Sequence, residues 1–303
     1  MIHDAAIPLL VDGAGLGVGA EMNVQGHRGN HHAGQGQDCN QIAHRFRCYQ
    51  SAHARYHGPM DQQTHGSRRV AFFGGSFDPP HLGHLAVARA AQTALGLDTV
   101  LFAPVGAQPL KLEGSTATFA DRVAMTQLAI AGDAGFAVSL ADAPKPSGEP
   151  NYTLETLLTL RAELPPESTL FCLMGADAFA ALKRWHRAAE IPFVARLIVA
   201  SRPGESVSDL KAALPDGLSI AGPQPCRSVE KIELHRYILC NPAGEQSPFY
   251  LLPGLEIEIS ASEIREHLKI RTQARVESGD LVPERELLPA PVLDYICARG
   301  LYR

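Results

Sequence analysis

Residues 72–85 read FFGGSFDPPHLGHL, placing three glycines, two prolines and two histidines between an apolar run and a helix-like one. A plain connection needs none of the seven. Gly74 and Gly75 lack a Cβ, so the backbone there can approach a ligand closely and adopt positive φ. Pro79 and Pro80 stiffen the loop and preset the entry to a helix. His81 and His84 are three positions apart, a spacing that points both rings to one side over a helix start. That end of a helix carries unpaired N–H groups and a partial positive charge. Imidazole donors, free amides and a glycine turn make an anion cradle suited to a polyphosphate.

The stretch lacks the G-K-[ST] ending of a P-loop, and its H-x-x-H is not the H-E-x-x-H of a zinc protease. The plain alternative is a Gly/Pro turn before a capped helix. Against it stands the full pattern G-x-F-x-P-x-H-x-G-H, whose six fixed types recur by chance on the order of once in 10⁸ positions.

A cradle of this kind must hang between a strand and a helix, and the flanking pattern supplies both. From residue 68 onward, short apolar runs alternate with helical stretches. The strand candidates are 69–73, 99–103, 136–140, 169–174 and 196–201. Helices are expected over 83–95, 119–131, 153–164, 177–183 and 206–214. This alternation predicts an α/β fold, a Rossmann-like doubly wound parallel sheet with flanking helices. Ligands of such sheets sit beyond the carboxyl ends of the strands. After about residue 222 the rhythm loosens, with apolar runs at 232–240 and 249–252 and helices from 260 and over 291–299; residues 223–248 carry no readable role.

The chain has 303 residues, 45% of them apolar, and a formal net charge of −5. It is long enough for a sizeable core, has no apolar run of membrane-spanning length, and lacks the basic excess of a general nucleic-acid binder. Six scattered cysteines without a CxxC pair, and no signal-peptide pattern, point to a reduced, cytoplasmic protein. A homo-oligomer is compatible with the sequence but not specified by it. Residues 1–67 carry eight of the 13 histidines and ten of the 27 glycines. Such a segment buries too little apolar surface to offset its ordering entropy, so 1–67 is expected to be a disordered tail and 68–303 the folded domain. Its GLGVGA run lacks a following helix, and its histidines with Cys39 and Cys48 lack metal-site spacing. A translation artefact from an upstream start is the other reading of this tail.

The opening motif resembles the nucleotidyltransferase superfamily with the HxGH signature. Within it, PNYTLETLLTL (150–160), FCLMGADAFAALKRWHRAAEI (171–191), ARLIVASRPG (195–204), ISASEIRE (259–266) and LPAPVLDYICARGLYR (288–303) are similar to nicotinate-nucleotide adenylyltransferases. The resemblance implies adenylyl transfer from ATP to nicotinate mononucleotide, giving nicotinate adenine dinucleotide and pyrophosphate. It implies that Gly74, Gly75, Ser76, Phe77, His81 and His84 contact ATP, with His84 stabilising phosphate charge in the transition state.

The same resemblance extends to the later motifs. Ser260, Ser262 and Arg265 open a helix that would grip phosphate oxygens, although Ser260 and Glu263 also fit a capping box. Gly175 allows backbone approach to the nucleotide. Asp177 either accepts hydrogen bonds from ribose or base, or caps its helix. Trp185 suits a pyridine ring but is equally a core residue by type. Tyr152 and Thr153 begin a helix and are implied to bind the pyridine carboxylate. Lys111 is implied to meet phosphate and Arg202 to meet phosphate or nucleotide, the plain alternative for each being a solvated side chain. Leu110 stands where the family commonly has a basic residue or histidine. No protein-held metal is implied. Mg²⁺ is expected on the ATP phosphates. The rivals are an enzyme of this superfamily with another acceptor, nicotinamide mononucleotide or phosphopantetheine, and a nucleotide sensor without catalysis.

Overall fold

The structure is a computed structural model, and it describes residues 66–110, 114–201, 207–225, 232–253, 260–274 and 287–303. The expected tail therefore lies outside the described residues but for its last two. Lys111 and Arg202 lie outside them as well.

The sheet has eight strands: β1 (Arg69–Gly75), β2 (Thr99–Pro104), β3 (Phe136–Val138), β4 (Thr169–Gly175), β5 (Arg196–Ala200), β6 (Ser219–Gln224), β7 (His235–Cys240) and β8 (Gln246–Leu252). Their spatial order is β3-β2-β1-β4-β5-β8-β7-β6. The pairs from β3 through to β8 are parallel, while β7 runs antiparallel to both β8 and β6. The five expected strands are β1 to β5. Beyond them the chain adds β8 to the parallel set and returns through an antiparallel pair, which explains why the alternation loosened after residue 222.

The helices are α1 (Leu82–Leu95), α2 (Phe119–Ile130), α3 (Thr153–Glu163), α4 (Ala176–Ala180), α5 (Ile191–Val194), α6 (Val207–Ala213), α7 (Ala261–Ala274) and α8 (Ala290–Arg299). The expected helix over 177–183 is shorter, and its remainder is a 3₁₀ turn at Leu182–Arg184.

Successive strand residues point to opposite faces, and both faces are covered. Ala71, Phe73, Phe171, Leu173 and Ile198 join Leu85, Met125, Ile264 and Ile296 in one core, under α1, α2, α7 and α8. Val70, Phe72, Cys172, Leu197 and Val199 join Leu157, Phe179, Ile191 and Leu210 in the other, under α3 to α6. This double burial is why the strands read as continuous apolar runs. The order reverses between β1 and β4, the point in such a sheet where a crevice opens at the carboxyl ends. β1 ends there at Gly75, and β4 ends there at Gly175.

Candidate active site

The loop leaving β1 is built by steric need rather than by the positive φ expected of its glycines. Neither Gly74 nor Gly75 has a positive φ. A Cβ on Gly74 would lie 2.8 Å from the Phe72 ring, and one on Gly75 would lie 3.2 Å from the Phe77 ring. A side chain at Gly74 would thus force the buried Phe72 ring to shift, and one at Gly75 would sit tightly against the Phe77 ring. The left-handed conformation falls instead on Phe77, at φ 47°. That costs a non-glycine residue strain, commonly held where surrounding structure over-determines it. Here the surroundings do so: the Phe77 side chain is 1% exposed and meets Phe73 edge-on at 5.7 Å. Its side chain faces the core, so any contact of Phe77 with a ligand runs through its backbone.

Asp78 fastens the same loop. Its carboxylate accepts from Thr116 N at 2.6 Å, Ala117 N at 3.0 Å and Tyr302 Oη at 2.7 Å. Its carbonyl accepts from Arg265 Nη1 at 2.7 Å, and Arg265 Nη2 donates to Ser262 Oγ at 3.1 Å. Arg265 and the histidine loop, 187 positions apart in sequence, are thereby one construction. Ser260 carries the first turn of α7, its carbonyl accepting from Ile264 N at 3.0 Å.

His81 and His84 come together as their spacing predicts, with ring centroids 3.7 Å apart. The His81 N–H donates to His84 Nδ1 at 3.1 Å. A ring nitrogen that accepts cannot carry the proton, so in the neutral ring the proton is on Nε2. His84 also lies 4.9 Å from the Phe77 ring and 6.0 Å from the Phe73 ring. Burial pulls the His81 pKa down to about 4. Burial, and then the neighbouring His81, pull His84 well below its ordinary value. Both imidazoles are therefore neutral near pH 7 in the empty protein. His81 Nδ1 is buried with no hydrogen-bond partner among the described residues. One expectation fails here: the Leu82 amide at the start of α1 is not free, since it donates to Leu287 O at 2.9 Å. No acidic residue occupies the first turn of α1, so its positive end is not neutralised locally.

Across the switch point, Gly175 precedes α4, and nothing lies within 4 Å of where its Cβ would be. Asp177 is exposed and lies in the first turn of α4, two residues past the N-cap position, which Gly175 holds. Tyr152 and Thr153 open α3, both half-buried. The Tyr152 ring stacks on His186 at 4.5 Å, bringing the start of α3 beside the turn that carries Trp185. Trp185 is half-buried and packs against the second core.

Two residues that tie neighbouring loops together escaped sequence reasoning. Asn151 Oδ1 accepts from Ala107 N at 3.0 Å while its own N–H donates to Ala107 O at 2.9 Å. It thus pins the loop after β2 to the segment entering α3. Arg122 of α2 is 2% exposed and donates to the carbonyls of Ser76 and Val105. The signal for Arg122 was a charged residue on the apolar stripe with Met125, Thr126 and Ala129. Nothing local marked Asn151.

No group of three or more His, Cys, Asp or Glu side chains capable of holding a metal occurs among the described residues. Both Asp78 carboxylate oxygens are already engaged in holding the loop.

Residues 72–267 match the cytidylyltransferase-like family. A protein from Gloeobacter violaceus named "Probable nicotinate-nucleotide adenylyltransferase" is 38% identical over 234 residues, 77% of this chain and 96% of its own length. The chain belongs to the nicotinate-nucleotide adenylyltransferase family. A relative of the same name from Stenotrophomonas maltophilia is 36% identical over 77% of this chain and 96% of its own length. The nicotinic acid mononucleotide adenylyltransferase of Plasmodium falciparum, solved with NaAD, shares the fold with a TM-score of 0.54 at 18% identity, over 78% of this chain and 97% of that one. Family membership thus rests on the close relatives, and the Plasmodium likeness supports the fold alone.

Proposed function

We propose that the chain transfers the adenylyl group of ATP to nicotinate mononucleotide. A phosphate oxygen of the mononucleotide attacks the α-phosphorus of ATP, the bond from that phosphorus to the bridging oxygen breaks, and pyrophosphate leaves. The products are nicotinate adenine dinucleotide and pyrophosphate. Such a transfer needs alignment and charge stabilisation rather than a protein nucleophile.

The observation that carries this reading is the His81–His84 pair beside the Arg265-bonded loop. His84, with Nδ1 engaged, offers its Nε2–H to phosphate oxygens. His81 lines the same cradle, and Arg265 supplies a fixed positive charge. Gly74, Gly75, Ser76 and the Phe77 backbone form its floor, with Ser260 and Ser262 at the mouth of α7. Gly175 and Asp177 take the nucleoside. Tyr152, Thr153 and Trp185 take the pyridine ring and its carboxylate, and Lys111 and Arg202 belong to the phosphate contacts of the acceptor. Mg²⁺, carried in on the triphosphate, supplies neutralisation where two polyanions meet. We place the reaction in the cytoplasm and the catalytic unit in residues 68–303. Among the described residues, no helix is long and apolar enough to cross a membrane.

The test is pyrophosphate release from ATP and Mg²⁺ with nicotinate mononucleotide, nicotinamide mononucleotide or phosphopantetheine as acceptor. Preference for the nicotinate acceptor is the expected result. Preference for another acceptor overturns the assignments at Tyr152, Thr153 and Trp185. No release with any of them overturns the reaction.

A further inference from the structure

Arg122 is a buried charge in an unusual position. Its Nη1 donates to Ser76 O at 2.7 Å and its Nη2 to Val105 O at 2.8 Å. The guanidinium lies 5.5 Å from the centre of the Phe119 ring, and its Nε is buried without a partner. No carboxylate hydrogen-bonds it among the described residues. Asp78 and the Tyr302 hydroxyl act on it only through space, against a burial that disfavours its charge. Burying a charge in this way costs several kcal/mol, and an apolar side chain of similar volume commonly fills such space more cheaply. Stability alone gives little reason for an arginine here.

The two carbonyls it holds belong to different loops. Ser76 follows β1 and forms part of the candidate ATP cradle. Val105 follows β2 and begins the loop that Ala107 ties to Asn151, beside the Tyr152 and Thr153 assigned above to the acceptor. Two further bonds join the same pair of loops: Val105 N to Gly75 O at 2.9 Å, and Gln108 Nε2 to Ser76 Oγ at 2.9 Å. The planar guanidinium sits between the loops with two donors at fixed separation, which a lysine cannot reproduce.

We propose that Arg122 is a positioning residue for adenylyl transfer, setting the gap between the ATP-side loop after β1 and the acceptor-side loop after β2. This rests on the reaction proposed above. In-line transfer is sensitive to misplacement of about 1 Å in the reacting groups. A loosened gap therefore lowers turnover while each substrate still binds its own loop.

The test compares the parent chain with Arg122→Lys and with Gln108→Leu, measuring kcat, both KM values and the melting temperature. Gln108 is half-buried on the loop, so its replacement leaves the core intact. The expected result for Arg122→Lys is a kcat at least about tenfold lower, with both KM values within about threefold. Gln108→Leu is expected to show the same split at about two- to fivefold. A merely structural arginine would lower the melting temperature and leave kcat per folded molecule unchanged. That outcome in a folded Arg122→Lys overturns the inference, as does a rise in KM at constant kcat. If Arg122→Lys does not fold, Gln108→Leu decides by the same criterion. A parent chain active with nicotinate mononucleotide isolates this failure from failure of the reaction. An inactive parent overturns both.

Discussion

Tyr302 donates its hydroxyl hydrogen to Asp78 Oδ1 at 2.7 Å, joining residues 224 positions apart in a buried contact. Burial and the adjacent carboxylate together push the phenol far above its ordinary range, so it stays protonated and remains a donor at any working pH. Asp78 in turn holds the loop through the amides of Thr116 and Ala117. The C-terminal turn after α8 and the histidine loop are thus coupled through one carboxylate.

Tyr302→Phe removes one of the three donors to the Asp78 carboxylate while keeping the ring. The expected loss of stability is about 1–2 kcal/mol, read from denaturant unfolding. Turnover should fall several-fold because the loop is less firmly placed. Unchanged stability and kcat would show that Thr116 and Ala117 hold Asp78 unaided.

Acid should destabilise the empty protein in a defined window. The unfolded chain protonates His81 near its ordinary 6.5, whereas the folded chain resists until about 4. Between these values the unfolded state binds more protons, so stability rises with pH there. The contribution is complete above about 6.5 and is lost progressively as pH falls toward 4. His84 shifts in the same direction. The loss from His81 is on the order of 3 kcal/mol. Unfolding midpoints at pH 7 and pH 5 test this, and His81→Asn should flatten the difference. A parent protein equally stable at both pH values refutes it.

His84→Ala should lower kcat by about 10²–10³ with little change in the KM for ATP, as expected for a donor whose bond strengthens in the transition state. Steady-state kinetics decide the matter. A kcat near the parent value would remove His84 from the chemistry.

Trp185→Ala should raise the KM for nicotinate mononucleotide about tenfold, the value of one aromatic contact. The KM for ATP should stay within about twofold. Equal rises in both would mean that Trp185 acts through the second core, against which it packs.

The first five strands were legible because double burial makes each a continuous apolar run, and the helices between them keep their period. The pairing of His81 with His84 followed from spacing alone. Other features depend on contacts distant in sequence. Leu287 gives no sign that its carbonyl occupies the Leu82 amide. The apolar run at 232–240 contains β7, but its antiparallel direction was not legible because β6, exposed along most of its length, offers no alternation to mark the reversal. Asn151 reads as an ordinary loop polar residue until its two bonds to Ala107 are seen.

The bonds from Leu287 to Leu82, from Arg265 to Asp78 and from Tyr302 to Asp78 have a consequence for biogenesis. The histidine motif leaves the ribosome long before the residues that fasten it. A nascent chain therefore carries this loop without its partners until nearly all of the sequence has been translated. Contacts closing over about 190 to 220 residues form late and slowly, because their loop entropy must be met first. Nucleotide affinity should accordingly appear as one of the last events of folding, after the β1–β5 sheet has assembled around its two cores.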